Sequence, residues 1–97
     1  MNEVFDNFIR VLNLTLKVFN NLQVQLTKMA IYPRIPALTI DGEYGQSNAV
    51  IHHGKDNTNC LIEVYGQDKY LLMYDSDEEY MEKLEKYLIK CNMGDEK

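Results

Sequence analysis

Apolar residues return every three or four positions through the first thirty residues of the chain. With Phe5 placed at position a of a heptad, the a and d positions are Phe5, Phe8, Leu12, Thr15, Phe19, Leu22, Leu26 and Met29, all apolar except Thr15. Val4, Ile9, Val11, Leu16 and Val18 widen this stripe, and the opposite face is polar except at Leu14 and Val24. Such spacing predicts an amphipathic helix with one buried face. Asn2 offers an N-cap, and Glu3 and Asp6 suit the positive end of the dipole. Pro33 disfavours helical backbone at Tyr32, so the pattern predicts a helix over 1–31. About 28 helical residues would span roughly 42 Å.

The stripe narrows along its length. Up to Phe19 it is four positions wide, which suits a globular core; beyond that, Gln23 and Gln25 take the flanks, which suits a two-helix seam. A small sheet of about 20 Å cannot cover a 42 Å helix. The expectation is a homodimer whose first helices pack together at Leu22, Gln23, Leu26 and Met29.

Shorter apolar runs follow. Tyr32 to Pro36, with two prolines, reads as an extended connector. Ala37–Ile40 reads as a strand closed by the turn pair Asp41-Gly42, and Glu43–Asn48 mainly as loop. Ala49–His53, Cys60–Tyr65 and Lys69–Tyr74 are further strands, separated by the turn-rich segments 54–59 and 66–68. Tight turns make neighbouring strands antiparallel. Alternation sends Cys60, Ile62 and Val64 to one face, and Leu61, Glu63 and Tyr65 to the other. Neither face is cleanly polar, so both need cover from the helices or from a partner. Ser76-Asp77-Glu78-Glu79 is a capping box opening a second helix over 76–93, with Met81, Leu84, Leu88 and Cys91 on one side and Gly94 as its stop. Glu79 with Lys83, and Glu82 with Lys86, support it as i,i+4 pairs. Asp95, Glu96 and Lys97 should fray. The fold class is therefore α+β: a long N-terminal helix, an antiparallel sheet of three to four strands over 37–74, and a C-terminal helix, in a single domain of 97 residues.

Charge adds a polarity to this picture. The net charge is −5. Residues 1–31 carry two acids against three basic residues, whereas 75–97 carry eight acids against four lysines. No basic patch is available for a nucleic acid backbone, so direct nucleic-acid binding is not expected. No run is long and apolar enough for a membrane span, and the acidic, periodic N-terminus is unlike a signal peptide. Two cysteines, Cys60 and Cys91, are too few for a disulfide framework. These features favour a cytoplasmic setting.

The chemistry-bearing residues are sparse. His52 and His53 are adjacent in a strand and point to opposite faces, so they cannot share one metal in regular geometry; adding Cys60 from the next strand still gives too few ligands for zinc. A Cys60–His pair lacks any oxyanion loop, and a thiol on an apolar strand face is ordinarily inert. Asp41, Glu43, Asp56 and Asp68 lie in predicted turns, where acids bond their own backbone. The expectation is no catalytic, cofactor or metal site.

Two surface features remain. Asp77, Glu78, Glu79 and Glu82 crowd the start of the second helix and could dock a basic surface on a protein partner. Seven tyrosines with no tryptophan, among them Tyr44, Tyr65 and Tyr70 in the sheet region, suit an interface. The favoured function is a small acidic protein-interaction module: an adaptor, chaperone-like subunit or inhibitor. A second reading is an inhibitor of a nucleic-acid enzyme, of the kind phages and mobile elements carry, whose acidic face mimics DNA; the interleaved Lys83, Lys86 and Lys90 count against it. A third is an enzyme or small-ligand domain with a site at the dimer seam.

Overall fold

Two helices lie on one face of a five-stranded antiparallel sheet, and among the described residues the other face of the sheet is left uncovered. The computed structural model describes residues 3–95. Its elements run α1 (Glu3–Leu22), β1 (Gln25–Tyr32), β2 (Ala37–Tyr44), β3 (Ser47–Gly54), β4 (Asn59–Val64), β5 (Tyr70–Met73) and α2 (Asp77–Lys90). The strands are ordered β1-β2-β3-β4-β5, each hydrogen-bonded to its sequence neighbour. The α+β class and the two-layer arrangement follow from burying one face of the sheet under two amphipathic helices.

The first helix ends nine residues earlier than its apolar pattern predicts, at Leu22. Gln23 adopts a left-handed backbone, φ 62°. Its N–H donates to the Asn20 carbonyl at 3.3 Å, and the Val24 N–H to the Phe19 carbonyl at 2.8 Å. This is a Schellman closure, and its usual apolar contact is present, since Val24 and Phe19 both enter the core. Val24, the residue that broke the polar face of the predicted helix, is the one that ends it. With α1 only 20 residues long, about 30 Å, the argument for a dimer from surplus helix length no longer holds. The Asn2 cap, and the fraying of Glu96 and Lys97, fall outside the described residues.

Residues 25–32 form a fifth strand instead. β1 pairs with β2 from Gln25↔Glu43 to Tyr32↔Ala37, with a bulge between Leu26 and Lys28. The segment 33–36 is the hairpin turn that joins the two strands, where an extended connector was expected. Asp41-Gly42 is also corrected: both residues lie inside β2. The β2–β3 turn is Gly45-Gln46, closed by the Tyr44↔Ser47 pair. Gly45 takes φ 62° there and Gln46 does not have positive φ, the pattern a type II′ hairpin demands.

The alternation expected for β4 is observed. Cys60, Ile62 and Val64 are buried, and their register partners Leu72, Ile51 and Ala49 lie on the same face. Leu38, Ile40 and His53 complete the sheet's contribution. Onto this face α1 lowers Phe8, Val11, Thr15, Val18, Phe19 and Leu22, and α2 lowers Tyr80, Leu84 and Leu88.

α2 opens as the capping box predicts. The Ser76 hydroxyl accepts from the Glu79 N–H at 3.1 Å, and the Glu79 carboxylate accepts from the Asp75 N–H, one residue before the cap, at 2.6 Å. Its far end closes earlier than Gly94, through Asn92 at φ 58°. There Asn92 N–H donates to Ile89 and Met93 N–H to Leu88, with Met93 fully buried. Gly94 serves a different purpose. The chain passes so close to α1 that a Cβ on Gly94 would lie 2.6 Å from the Leu22 Cβ. The adjacent Asp95 N–H caps the Leu22 carbonyl at 2.6 Å.

Candidate functional site

The two histidines are separated by the pleat, as the spacing requires. His53 enters the core; His52 lies on the outer face, with its Nε2 3.8 Å from Glu63 Oε1. His53 Nε2 meets the Tyr80 hydroxyl at 3.2 Å, and that hydroxyl meets Thr15 Oγ1 at 2.7 Å. Thr15 Oγ1 donates to the Val11 carbonyl at 2.8 Å. A carbonyl can only accept, so the protons run one way: His53 Nε2–H to Tyr80, Tyr80 O–H to Thr15, Thr15 O–H to Val11. This assigns His53 as the neutral Nε2–H tautomer. Burial, with the neighbouring His52 as a smaller cause, lowers its pKa to about 4. Burial also pushes the Cys60 thiol up to about 12 and the Tyr80 phenol well above its ordinary value.

This network joins α1, α2 and β3 inside the core. It gives the one polar position of the predicted apolar stripe, Thr15, a structural use. A histidine whose ring N–H is spent on a buried tyrosine, beside a thiol held protonated, is poorly set up for nucleophilic chemistry. Among the described residues, no group of three or more His, Cys, Asp or Glu is placed to hold a metal. Tyr74 is also buried, stacked at a tilt on Tyr80 with ring centroids 4.8 Å apart, and its hydroxyl has no hydrogen-bond partner.

Much of the acidic cluster is used within the chain. Asp77 pairs with Arg10 of α1. Glu79 accepts from the Asp75 N–H and lies 3.4 Å from Lys83. The backbone bond to Asp75 is the main cause holding its carboxyl below the usual range. Glu85 accepts from Asn21 at 2.7 Å. Glu78 and Glu82 are exposed. The cluster therefore ties α2 to α1 and to its own first turn, and two of the four expected partner-binding acids remain directed to solvent.

The tyrosines divide similarly. Tyr44 packs against the core edge. Tyr70 stacks on Tyr87 of α2, with centroids 4.2 Å apart and planes within 10°. Tyr65 alone of the three expected is prominent, 76% exposed at the end of β4.

The uncovered sheet face is the feature that sequence reasoning located only in part. Register carries one continuous row across all five strands: Ala30, Thr39, His52, Leu61 and Leu71. None of these carries a fixed charge. The adjacent row is Lys28, Asp41, Val50 and Glu63, and it ends with Lys69 Nζ 3.5 Å from Glu63. On the other side lie Tyr32, Ala37 and Met73. Leu71 is 56% and Met73 51% exposed. The mixed polarity of β4 and β5 pointed to a covered second face; among the described residues nothing covers it, because both helices pack on the other side. Tyr32, Leu71 and Met73 went unrecognised as surface residues because only the register shows which apolar residues share that face.

Leu22 of the expected seam is wholly buried in the chain's own core, whereas Gln23, Leu26 and Met29 are exposed. Among the described residues, no helix is long and apolar enough to cross a membrane. Comparison of the chain with protein-family models, with curated proteins and with solved structures finds no match.

Proposed function

We propose that this chain is a protein-interaction module of the reducing cytoplasm, acting by binding and not by catalysis, working as a homodimer, and carrying a protein partner on its uncovered sheet face. The observation that carries this reading is the two-layer asymmetry. Both helices cover one face of the sheet, and the other presents an uncharged row that ends at Leu71, with Tyr32 and Met73 on one side of it and the charged row of Lys28, Asp41 and Glu63 on the other. Exposed apolar side chains gathered at one edge of an uncovered sheet face, here Leu71 and Met73 on β5, are the kind of surface a docking site uses. Tyrosine and methionine are the side chains such surfaces favour. The net charge of −5 and the exposed Glu78 and Glu82 favour a partner whose rim is basic.

The test compares captures by tagged wild type and by Leu71→Asp and Met73→Asp variants, read by mass spectrometry. Both side chains are half exposed on an edge strand, so the variants should keep their far-UV dichroism and lose the partner. Identical captures by all three proteins would defeat the reading.

A further inference from the structure

β5 ends at Met73, and Tyr74 carries the chain from the sheet towards the N-terminus of α2. Its N–H donates to the Thr58 carbonyl at 2.9 Å, which pins it beside the start of β4. Alternation after the buried Leu72 turns its side chain to the helix side of the sheet. There its ring leans on Tyr80, with centroids 4.8 Å apart. Only 4% of Tyr74 is exposed, and its hydroxyl makes no hydrogen bond among the described residues. The neighbouring buried polar groups, Thr15, His53 and Tyr80, are all satisfied by one another. An unmade bond at a buried hydroxyl is a cost that a bound molecule can recover.

Tyr74 lines a cavity of about 410 Å³ at the α1–α2 junction, with Arg10 of α1, Asn57 of the β3–β4 turn, and Asp75, Ser76 and Asp77 at the opening of α2. Burial pushes the Tyr74 phenol up to about 12, with the Cys60 thiol helping, Arg10 opposing, and Asp56 and Asp77 helping again. Arg10 and Asp77 bound the cavity, so the phenol oxygen lies on its side of the ring. The bonding capacity left around the cavity is mostly acceptor capacity. Arg10 spends Nη1 on Asp77 Oδ1 and Nη2 on Asn7. Asn57 donates to Asn7 through Nδ2, which leaves its side-chain carbonyl to accept. Asp75 gives its N–H to Glu79 and leaves its carboxylate at the exposed rim. Two rim carboxylates, with Asp56 behind them, thus face one guanidinium that is already paired. An anion would be repelled here, and a water would satisfy the hydroxyl without answering the charge.

We propose that this cavity binds a primary alkylammonium group, with the Tyr74 hydroxyl, the Asp75 carboxylate and the Asn57 carbonyl accepting its three N–H donors. The acceptors are single atoms spread over separate segments, which suits a compact ammonium with three rotatable donors. A guanidinium prefers two parallel acceptors on one plane. A free polyamine and a lysine side chain of another protein carry the same group. The cavity is on the helix side of the sheet, so this assignment stands independently of the docking face proposed above.

Amide shifts of isotope-labelled protein, titrated with n-butylammonium chloride at constant ionic strength, test the site. The amides of 57–58 and 74–77 should shift saturably, with a dissociation constant on the order of a millimolar. Tetramethylammonium chloride, which has the charge and no N–H donor, should move them little. Tyr74→Phe removes a hydroxyl that has no partner to lose, so it should fold normally and weaken butylammonium binding about tenfold. Asp75→Asn should do the same. Leu71→Asp, on the outer face, should bind butylammonium as the wild type does even where it loses a protein partner. Spermidine and Nα-acetyl-lysine amide then separate the sources: tighter binding of the first assigns a free polyamine, and of the second a lysine of a partner. No saturable shift, an equal response to tetramethylammonium, or wild-type affinity in either Tyr74→Phe or Asp75→Asn overturns the proposal.

Discussion

The hydroxyls of Thr15 and Tyr80 meet at 2.7 Å in the core, 65 residues apart in sequence. The contact links the middle of α1 to the first turns of α2, and through Tyr80 to His53. Tyr80→Phe strands the His53 Nε2–H in the interior while Thr15 keeps its bond to Val11. Leaving one buried donor unmade should cost about 1–3 kcal/mol. Tyr74→Phe removes a hydroxyl that already has no partner and should be neutral or slightly stabilising. Urea midpoints at unchanged slope will rank the two; equal losses from both would contradict the hydrogen-bond assignment.

His53 makes stability pH-dependent. Its pKa falls from 6.5 to about 4 on folding, chiefly through burial. The unfolded chain therefore binds the proton more tightly, and stability is lost as pH falls. The contribution is complete above about pH 6.5 and declines towards pH 4, to a total of about 3 kcal/mol. His53→Gln keeps a donor towards Tyr80 and cannot titrate. Denaturation midpoints measured between pH 7 and pH 5 should slope downward in the wild type and run flatter in this variant.

The two cysteines should react at very different rates. Cys60 is buried and its thiol is held protonated, with its pKa pushed up to about 12. Cys91 is half exposed at the end of α2. A thiol reagent at mildly alkaline pH should label Cys91 quickly and Cys60 only after denaturation. Rapid labelling of both in the native protein would mean that the sheet opens locally.

Gly42 should not tolerate a side chain. A Cβ there would lie 2.7 Å from the Phe19 ring and 2.8 Å from Val24 Cγ1, the two residues whose contact closes α1. Gly42→Ala should destabilise by about 1–3 kcal/mol through overpacking. Gly54→Ala, where a Cβ meets nothing within 4 Å, is the control, and thermal unfolding of the pair separates crowding from any general cost of losing glycine.

Much of the architecture is written in local patterns. The 3.6-residue period of α1 and α2, the alternation through β4 and the Ser76–Glu79 box are each decided by residues close together in the chain. They survive in the structure because burial on one face enforces the same periods. The acidic cluster was equally legible as composition, and so was the Glu79–Lys83 pair within α2, but the rest of its use was not: Arg10 and Asn21 reach Asp77 and Glu85 only once α1 lies against α2.

What the sequence by itself could not decide is where α1 ends. Leu26 and Met29 are three residues apart and continue the helical spacing, yet both belong to a strand. The bulge between Leu26 and Lys28 adds one residue to β1, so that Leu26 opposite Gly42 and Met29 opposite Ile40 share a face despite their odd separation. A bulged strand thus imitates a helix in one dimension. Only the contacts of Phe19 with Val24, and the space left by Gly42, select the strand, and these join positions that the heptad reading holds apart. The same holds for the candidate surface. Single residues of the outer row were visible, but their alignment from Ala30 to Leu71 is a property of register, and register is set by the buried face on the other side of the sheet.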